Sequence, residues 1–191
     1  KVRLGIDEMY SYDYFSNFVT KILDAGASRV HVHARKALIN LDTKANRKVP
    51  PINYQWVYKL KLEHPETCIT INGEISSVAP ILKHLEHVDG IMVGRHAYAR
   101  PLELIDFDRA ISLEPLPLKK TSREILEKYL VYAEEQISYG VPSRKTLQPL
   151  LNLFHGYKNA KVWRRSLSEK MCQESINIKE LLLMSDKVQR E

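Results

Sequence analysis

The first 110 residues alternate strand-like runs rich in β-branched residues with segments of helical periodicity. The strand-like runs are Lys1–Leu4, Arg29–Val32, Cys68–Ile71 and Gly90–Val93, and the helices predicted between them are Tyr12–Ala25, Tyr54–His64 and Ser77–Leu85. Strands joined through helices in this way are parallel, with right-handed crossovers. The sequence therefore predicts an α/β fold in the order β-α-β-α-β-α-β.

Four such units cannot close a barrel, since a (β/α)8 TIM barrel needs about 250 residues. They form either the second half of a barrel or a small open sheet. The chain opens on Lys1-Val2-Arg3, inside a strand-like run. This beginning favours the second half of a TIM barrel over residues 1–111, in a chain from which the first half is missing.

The composition changes after Ile111. Residues 112–120 contain Pro115 and Pro117 and are predicted to be a linker. Beyond it, residues 121–191 are predicted to form a small all-helical domain, with helices over Ser122–Ser138, Ser143–His155, Asn159–Lys170 and Glu174–Val188. Thr121 and Glu124 predict a capping box, and Pro149 predicts a kink or a shortened helix.

The composition places the chain among ordinary globular proteins, with 44% hydrophobic and 27% charged residues. No apolar run approaches the roughly 20 residues of a membrane span. Cys68 and Cys172 are in no metal-ligand spacing. We therefore expect a monomer with no membrane segment and no metal. We expect it in the cytoplasm, or in an organelle if the missing N-terminal part carries a targeting signal.

Positive charge is concentrated in the last third of the chain. Residues 119–191 carry 14 Lys and Arg against 9 Asp and Glu, whereas residues 1–118 carry 15 against 14. Between Glu135 and Glu169 the charged residues are all basic: Arg144, Lys145, Lys158, Lys161, Arg164 and Arg165. A block of one sign suggests a polyanionic partner such as nucleic acid, the alternative being a solvated basic surface.

Two glycines follow neighbouring predicted strands. Gly73 ends Ile71-Asn72-Gly73, and Gly94 precedes Arg95. Glycine at such a turn lets backbone N–H groups approach a ligand, and paired turns of this kind form phosphate sites in barrels. Arg95 could add a charge-assisted contact. The alternative is that the glycines only allow tight turns.

Three further features are candidates for binding. His33 ends a strand-like run and is either a core residue or a ligand contact. The long loop after it, predicted over 34–51, carries Lys36, Lys44, Arg47 and Lys48 with Asp42 as its only acid, which suits RNA phosphates or a solvated loop. Lys161 and Arg164 share a helical face near Trp163, which either stacks on a base or lies in the core.

Together these motifs resemble the tRNA-dihydrouridine synthases, most closely the A subfamily. Lys1-Val-Arg3, His33-Ala-Arg-Lys-Ala37, Ile71-Asn-Gly73 and Gly94-Arg95 match the fifth to eighth strands of the family's barrel. The loop from Asn46-Arg47 to Pro50-Pro51 is similar to the A subfamily in particular. Leu153-Phe-His-Gly156 and Trp163-Arg-Arg165 resemble the helical domain that grips tRNA.

The resemblance implies an FMN enzyme that reduces a D-loop uridine of tRNA with NADPH. The implied FMN contacts are Lys1 and His33, with Asn72, Gly73, Glu74, Gly94 and Arg95 at its phosphate. The implied tRNA contacts are Lys44, Arg47, Lys161 and Arg164. Hydride from FMN would reach C6 of the uridine, and a cysteine would protonate C5.

Two departures from the family pattern qualify these implications. Glu74 stands where the family has glycine, and a carboxylate beside a phosphate either points away or weakens the site. The proton-donor cysteine belongs to a segment before this chain, and neither Cys68 nor Cys172 matches it. We therefore expect an active parent enzyme and an inactive fragment. The alternatives are a non-catalytic RNA-binding module and an FMN-barrel oxidoreductase acting on a small molecule.

Overall fold

The computed structural model describes residues 1–112, 121–173 and 177–188. Within the chain two compact units can be distinguished, residues 1–94 and residues 95–191. The predicted linker lies outside the described residues from Leu113 onward, as does the start of the predicted helix at Glu174.

The first unit contains a parallel four-stranded sheet. Its strands are β1 (Val2–Arg3), β2 (Arg29–His33), β3 (Cys68–Asn72) and β4 (Gly90–Met92), paired in the order β1-β2-β3-β4. Every pairing is parallel. The predicted α/β fold with parallel strands is therefore confirmed for this unit.

Helices connect successive strands close to the predicted positions: α1 (Tyr12–Asp24), α2 (Gln55–Glu63) and α3 (Val78–Leu85). The side chain of Ser11 accepts a hydrogen bond from the Tyr14 backbone N–H, which caps the first turn of α1. After α1, Gly26 adopts a φ of +100°, which glycine accommodates without strain. Local capping chemistry thus fixes both ends of this helix.

One face of the sheet forms the core of the first unit. Val30, Val32, Ile69 and Ile71 alternate along β2 and β3, and each is at most 2% exposed. The buried residues of the three helices complete this core: Phe15, Val19, Val57, Leu60 and Ile81. Because side chains alternate along a strand, the residues between these apolar positions must point to the opposite face.

That opposite face is polar, and we call it the polar face; it carries Lys1, Arg3, His31, His33, Thr70 and Asn72. Strand register places Arg3 beside His33, His33 beside Asn72, and Asn72 beside Met92. The Lys1 Nζ lies 3.3 Å from the Met92 Sδ, although Lys1 directly precedes β1 and Met92 ends β4, the two outer strands. Side chains from the two edges of the sheet therefore reach toward each other over the polar face.

The elements that the structure describes in the second unit are helical: α4 (Arg95–Ala99), α5 (Leu104–Ile111), α6 (Ser122–Ser138), α7 (Ser143–Leu147), α8 (Ala160–Lys170) and α9 (Ile178–Ser185), with 3-10 turns at Pro101–Glu103 and Gln148–Asn152. The predicted capping box of α6 is present. Pro149 lies in the second 3-10 turn, which confirms the predicted interruption. None of the helices in the described parts of the chain is both long and apolar enough to cross a membrane.

The two compact units meet in the sequence between Gly94 and Arg95, earlier than the predicted domain boundary. Helices α4 and α5 accordingly belong to the second unit. The Asn152 side chain donates to the Tyr98 carbonyl over 3.3 Å, and Leu102 packs against the second unit's core. The division into residues 1–111 and 121–191 stays a prediction.

Candidate functional site

The carboxyl ends of the strands bring several predicted site residues together. His33 ends β2 and lies beside Asn72, which ends β3. The Asn72 Nδ2 donates to the Met92 carbonyl oxygen at the end of β4, over 2.7 Å. The turns that begin at Gly73 and Gly94 therefore start from neighbouring strand ends, at the edge where parallel α/β sheets bind ligands.

The two glycines occupy very different surroundings. Gly73 is buried with a φ of +136°, and a Cβ there would lie 2.7 Å from the Ile52 Cδ1 and 3.4 Å from the His33 Cδ2. A Cβ on Gly94 would meet only the Asn72 Nδ2, at 4.0 Å. Packing and backbone conformation thus explain the glycine at 73, whereas open space adjoins the backbone at Gly94.

We expect Gly73→Ala to lower the free energy of unfolding by about 2 kcal/mol. A positive φ costs a residue with a Cβ about 1 kcal/mol, and displacing Ile52 costs about another 1 kcal/mol. Gly94→Ala is the matched control and should change stability by less than about 0.5 kcal/mol. Urea unfolding of both variants measures the difference. Equal losses of stability in the two variants would mean that the contact with Ile52 and the positive φ do not explain the glycine at position 73.

Glu74 forms an ion pair with the guanidinium of Arg35. Arg35 is 3% exposed, whereas the Glu74 side chain is 51% exposed. The sequence predicted that the Glu74 carboxylate would disfavour a nearby phosphate, and the positive charge of Arg35 offsets it. Sequence reasoning did not foresee this partner, because nothing in the spacing of the two residues links them.

A cluster of arginines lies at the same strand ends. The Arg3 Nη1 donates to the carbonyl oxygens of Lys36 (2.9 Å) and Asn46 (3.2 Å). Burial, together with the positive charges of Arg35 and Arg47, lowers the pKa of Arg3 from its usual value. The charges of Arg35 and Arg47 thus disfavour the charged form of Arg3, and an anion bound near Arg3 would offset that effect.

The long loop between β2 and α2 spans residues 34–54 and is held by its own hydrogen bonds. The Asn46 side chain accepts from the Leu38 N–H (2.8 Å) and donates to the carbonyl oxygens of Leu38 (2.6 Å) and Leu41 (2.9 Å). Residues 45–47 form a 3-10 turn. Lys44 is exposed at its start and Arg47 is half-buried at its end. The amide of Asn46 therefore fixes the turn that carries both predicted RNA contacts.

Helix α8 separates its cations from its aromatic residue. Trp163 is 2% exposed, its Nε1 donates to the Leu150 carbonyl over 2.8 Å, and its ring packs edge-on against Phe154. The indole is therefore a core residue, and the interpretation in which it stacks on a base is wrong. Lys161 and Arg164 are exposed and have no ion-pair partner among the described residues.

Two further candidates from the sequence are Arg95 and Cys68. Arg95 is exposed and is the first residue of α4, in the second unit. Cys68 begins β3, at the opposite end of that strand from Asn72. Among the described residues, no group of three or more His, Cys, Asp or Glu side chains could hold a metal ion.

Comparison with known protein families identifies the family of the chain. The profile described as Dihydrouridine synthase (Dus) matches residues 1–189, nearly the whole chain. The chain belongs to the dihydrouridine synthase family. The resemblance stated from the motifs is thereby confirmed, and the strand-end residues above are those of a Dus chain.

Curated relatives of this Dus chain carry the name tRNA-dihydrouridine(20/20a) synthase. The relative from Pasteurella multocida is 41% identical over 88% of this chain and 52% of its own length. The relative from a Synechocystis species is 43% identical over 88% and 51%. The Shewanella oneidensis relative is 36% identical over 100% and 57%. The chain spans about half the length of the curated relatives it matches.

Proposed function

We propose that the protein containing this chain reduces uridine to dihydrouridine in tRNA, using FMN and NADPH. The match of the Dus profile to residues 1–189 carries the proposal. The strand-end geometry supports it, because His33, Asn72 and the turns after β3 and β4 lie side by side. Membership of this family makes the protein an oxidoreductase that modifies tRNA.

The polar face and the strand ends offer cationic donors that fit FMN, which carries a negatively charged phosphate. The Arg35 Nε is buried and has no hydrogen-bond partner among the described residues, and the ammonium of Lys1 contacts the weak acceptor Met92 Sδ. We assign Lys1 and His33 to the flavin, and its phosphate to Asn72, Gly73, Glu74, Gly94 and Arg95. FMN, when bound, supplies the hydride.

The proposed tRNA contacts come from two basic elements. Lys44 and Arg47 lie on the turn fixed by Asn46, and Lys161 and Arg164 lie on the exposed side of α8. Cations without carboxylate partners contact RNA phosphates at little electrostatic cost. The roles of these chain residues are to hold the RNA backbone and to keep the target base at the flavin.

The proposed architecture follows the family. Residues 1–111 would form the second half of a TIM barrel and residues 121–191 a helical tRNA-binding domain, joined through residues 112–120. The parallel sheet of the first unit supports the half-barrel, and helices α6 to α9 support the helical domain. We do not assign the proton donor to Cys68, since it lies at the amino end of β3, away from the strand ends.

The test is the formation of dihydrouridine in tRNA that lacks it, with NADPH and FMN. The complete reading frame that encodes this chain and the chain alone are assayed side by side, and nucleoside mass spectrometry measures the product. We expect product from the complete protein only. Product from the chain alone would show that the proton donor lies within these residues. No product from either would contradict the proposed reaction.

A second candidate function is a non-catalytic RNA-binding module. The unpaired cations Lys161 and Arg164 favour it, because they need no flavin to bind RNA. Flavin fluorescence of the purified complete protein discriminates between the two. A protein that binds tRNA with no flavin, and does not acquire it from added FMN, would support the module.

A further inference from the structure

The closing half of the long loop, residues 48–54, is attached to the turn after β3 at several points. The buried guanidinium of Arg35 donates through Nη1 to the carbonyl oxygens of Lys48 (3.3 Å) and Pro50, and its Nη2 pairs with Glu74. One side chain therefore joins the loop backbone on one side to the carboxylate of the turn on the other.

Further contacts bring the same two segments together. The Tyr54 hydroxyl donates to the Gly73 carbonyl over 2.7 Å, and the Ile52 side chain occupies the space where a Cβ on Gly73 would lie. The Asn53 N–H donates to the Ala34 carbonyl over 2.8 Å. The loop thus packs on the turn through its side chains and closes on its own first residue through its backbone.

The backbone of Glu74 is strained in the conformation that forms the ion pair with Arg35. Glu74 has a φ of +50°, in the left-handed region that residues with a Cβ disfavour. A glycine would adopt this conformation without strain. The carboxylate therefore has to be explained by what it binds, and its ion-pair partner is Arg35.

We propose that Glu74 is a positioning residue, which through Arg35 holds the long loop against the turn after β3. The loop then holds Lys44 and Arg47 in a fixed position. The turn after β3 and the 3-10 turn of residues 45–47 therefore move as one body. This inference rests on the proposed function for the identity of the ligands. The attachment of the loop to the turn does not depend on it.

The substitution Glu74→Gln distinguishes positioning of the loop from simple repulsion of phosphates by the carboxylate. If Glu74 only repelled phosphates, removal of its charge would strengthen binding of tRNA. If it positions the loop, the neutral amide holds Arg35 less well, the loop loosens, and tRNA binding weakens although the protein becomes more positive. The two roles predict opposite signs for the same substitution.

The first measurement is amide hydrogen exchange of the free protein, which needs neither flavin nor RNA. We expect peptides covering residues 36–54 to exchange about tenfold faster in Glu74→Gln, with the β2 and β3 amides unchanged. Glu66→Gln is the matched control, because Glu66 is exposed before β3 and has no ion pair among the described residues. Unchanged exchange of the loop in Glu74→Gln would overturn the proposal.

The second measurement is the tRNA affinity of the complete protein and both variants at fixed salt. We expect Glu74→Gln to bind about fivefold more weakly and Glu66→Gln to bind as the wild type does. Tighter binding by Glu74→Gln would overturn the positioning role. A wild-type protein that binds no tRNA would refute the proposed function instead, and hydrogen exchange alone would then decide whether Glu74 holds the loop.

Discussion

Replacement of Trp163 by alanine is expected to lower the free energy of unfolding of the second unit by about 4 kcal/mol. Removing a buried tryptophan leaves a large cavity, and the Leu150 carbonyl loses its hydrogen-bond donor. Since the free energy of unfolding of a domain is only about 5–15 kcal/mol, this loss is a large fraction of its stability. Urea unfolding followed by circular dichroism measures the effect.

Trp163→Phe is the control for this substitution. Phenylalanine keeps an aromatic ring against Phe154 but loses the indole N–H and the volume of one ring, so we expect a smaller loss of about 2 kcal/mol. Trp56 remains as the fluorophore of the first unit and should report an unchanged transition there. A Trp163→Ala variant with unaltered stability but weakened tRNA binding would mean that the indole contacts RNA after all.

The double variant Lys161→Ala/Arg164→Ala should bind tRNA about a hundredfold more weakly at constant salt, with unchanged stability. A hydrogen bond to a charged group is worth about 1.5 kcal/mol, or roughly tenfold in Kd for each contact. The slope of log K against log salt should fall by about 2, because two phosphate contacts are lost. Filter binding across a salt series gives both quantities.

Arg165→Ala/Lys170→Ala is the matched control, with the same two charges removed from the same helix. Arg165 pairs with Glu169 and Lys170 pairs with Glu180, so these cations already have carboxylate partners. We expect a change in affinity of less than about threefold, since exposed ion pairs contribute little. If both double variants weaken binding equally, net charge rather than the position of Lys161 and Arg164 controls the affinity.

The elements of the first unit could be predicted because their signals are local. β-Branched runs such as Arg29–Val32 identified the strands, and the apolar spacing of α1 identified its helix within one residue. Helices α4 and α5 were not predicted. They are short, five and eight residues, so each offers only about one or two turns from which helical spacing could be recognised.

The site was harder to predict, because its decisive contacts join residues far apart in sequence. The motif predicted the strand-end positions of His33 and Asn72, but Gly73 was interpreted through a ligand rather than through Ile52. Glu74 was expected to weaken the site or point away because a carboxylate repels a phosphate. Its ion pair with Arg35 could not be foreseen, since Arg35 follows a different strand. For Trp163 the sequence left two roles open, and only the packing around its ring decided between them.

The short outer strand β4 has a consequence for association through its edge of the sheet. The inner strands β2 and β3 have five residues each, whereas β4 has three. An outer strand offers its unpaired N–H and C=O groups to any chain that can add to the sheet. A strand this short presents few such groups, so the β4 edge is a poor template for edge-to-edge aggregation.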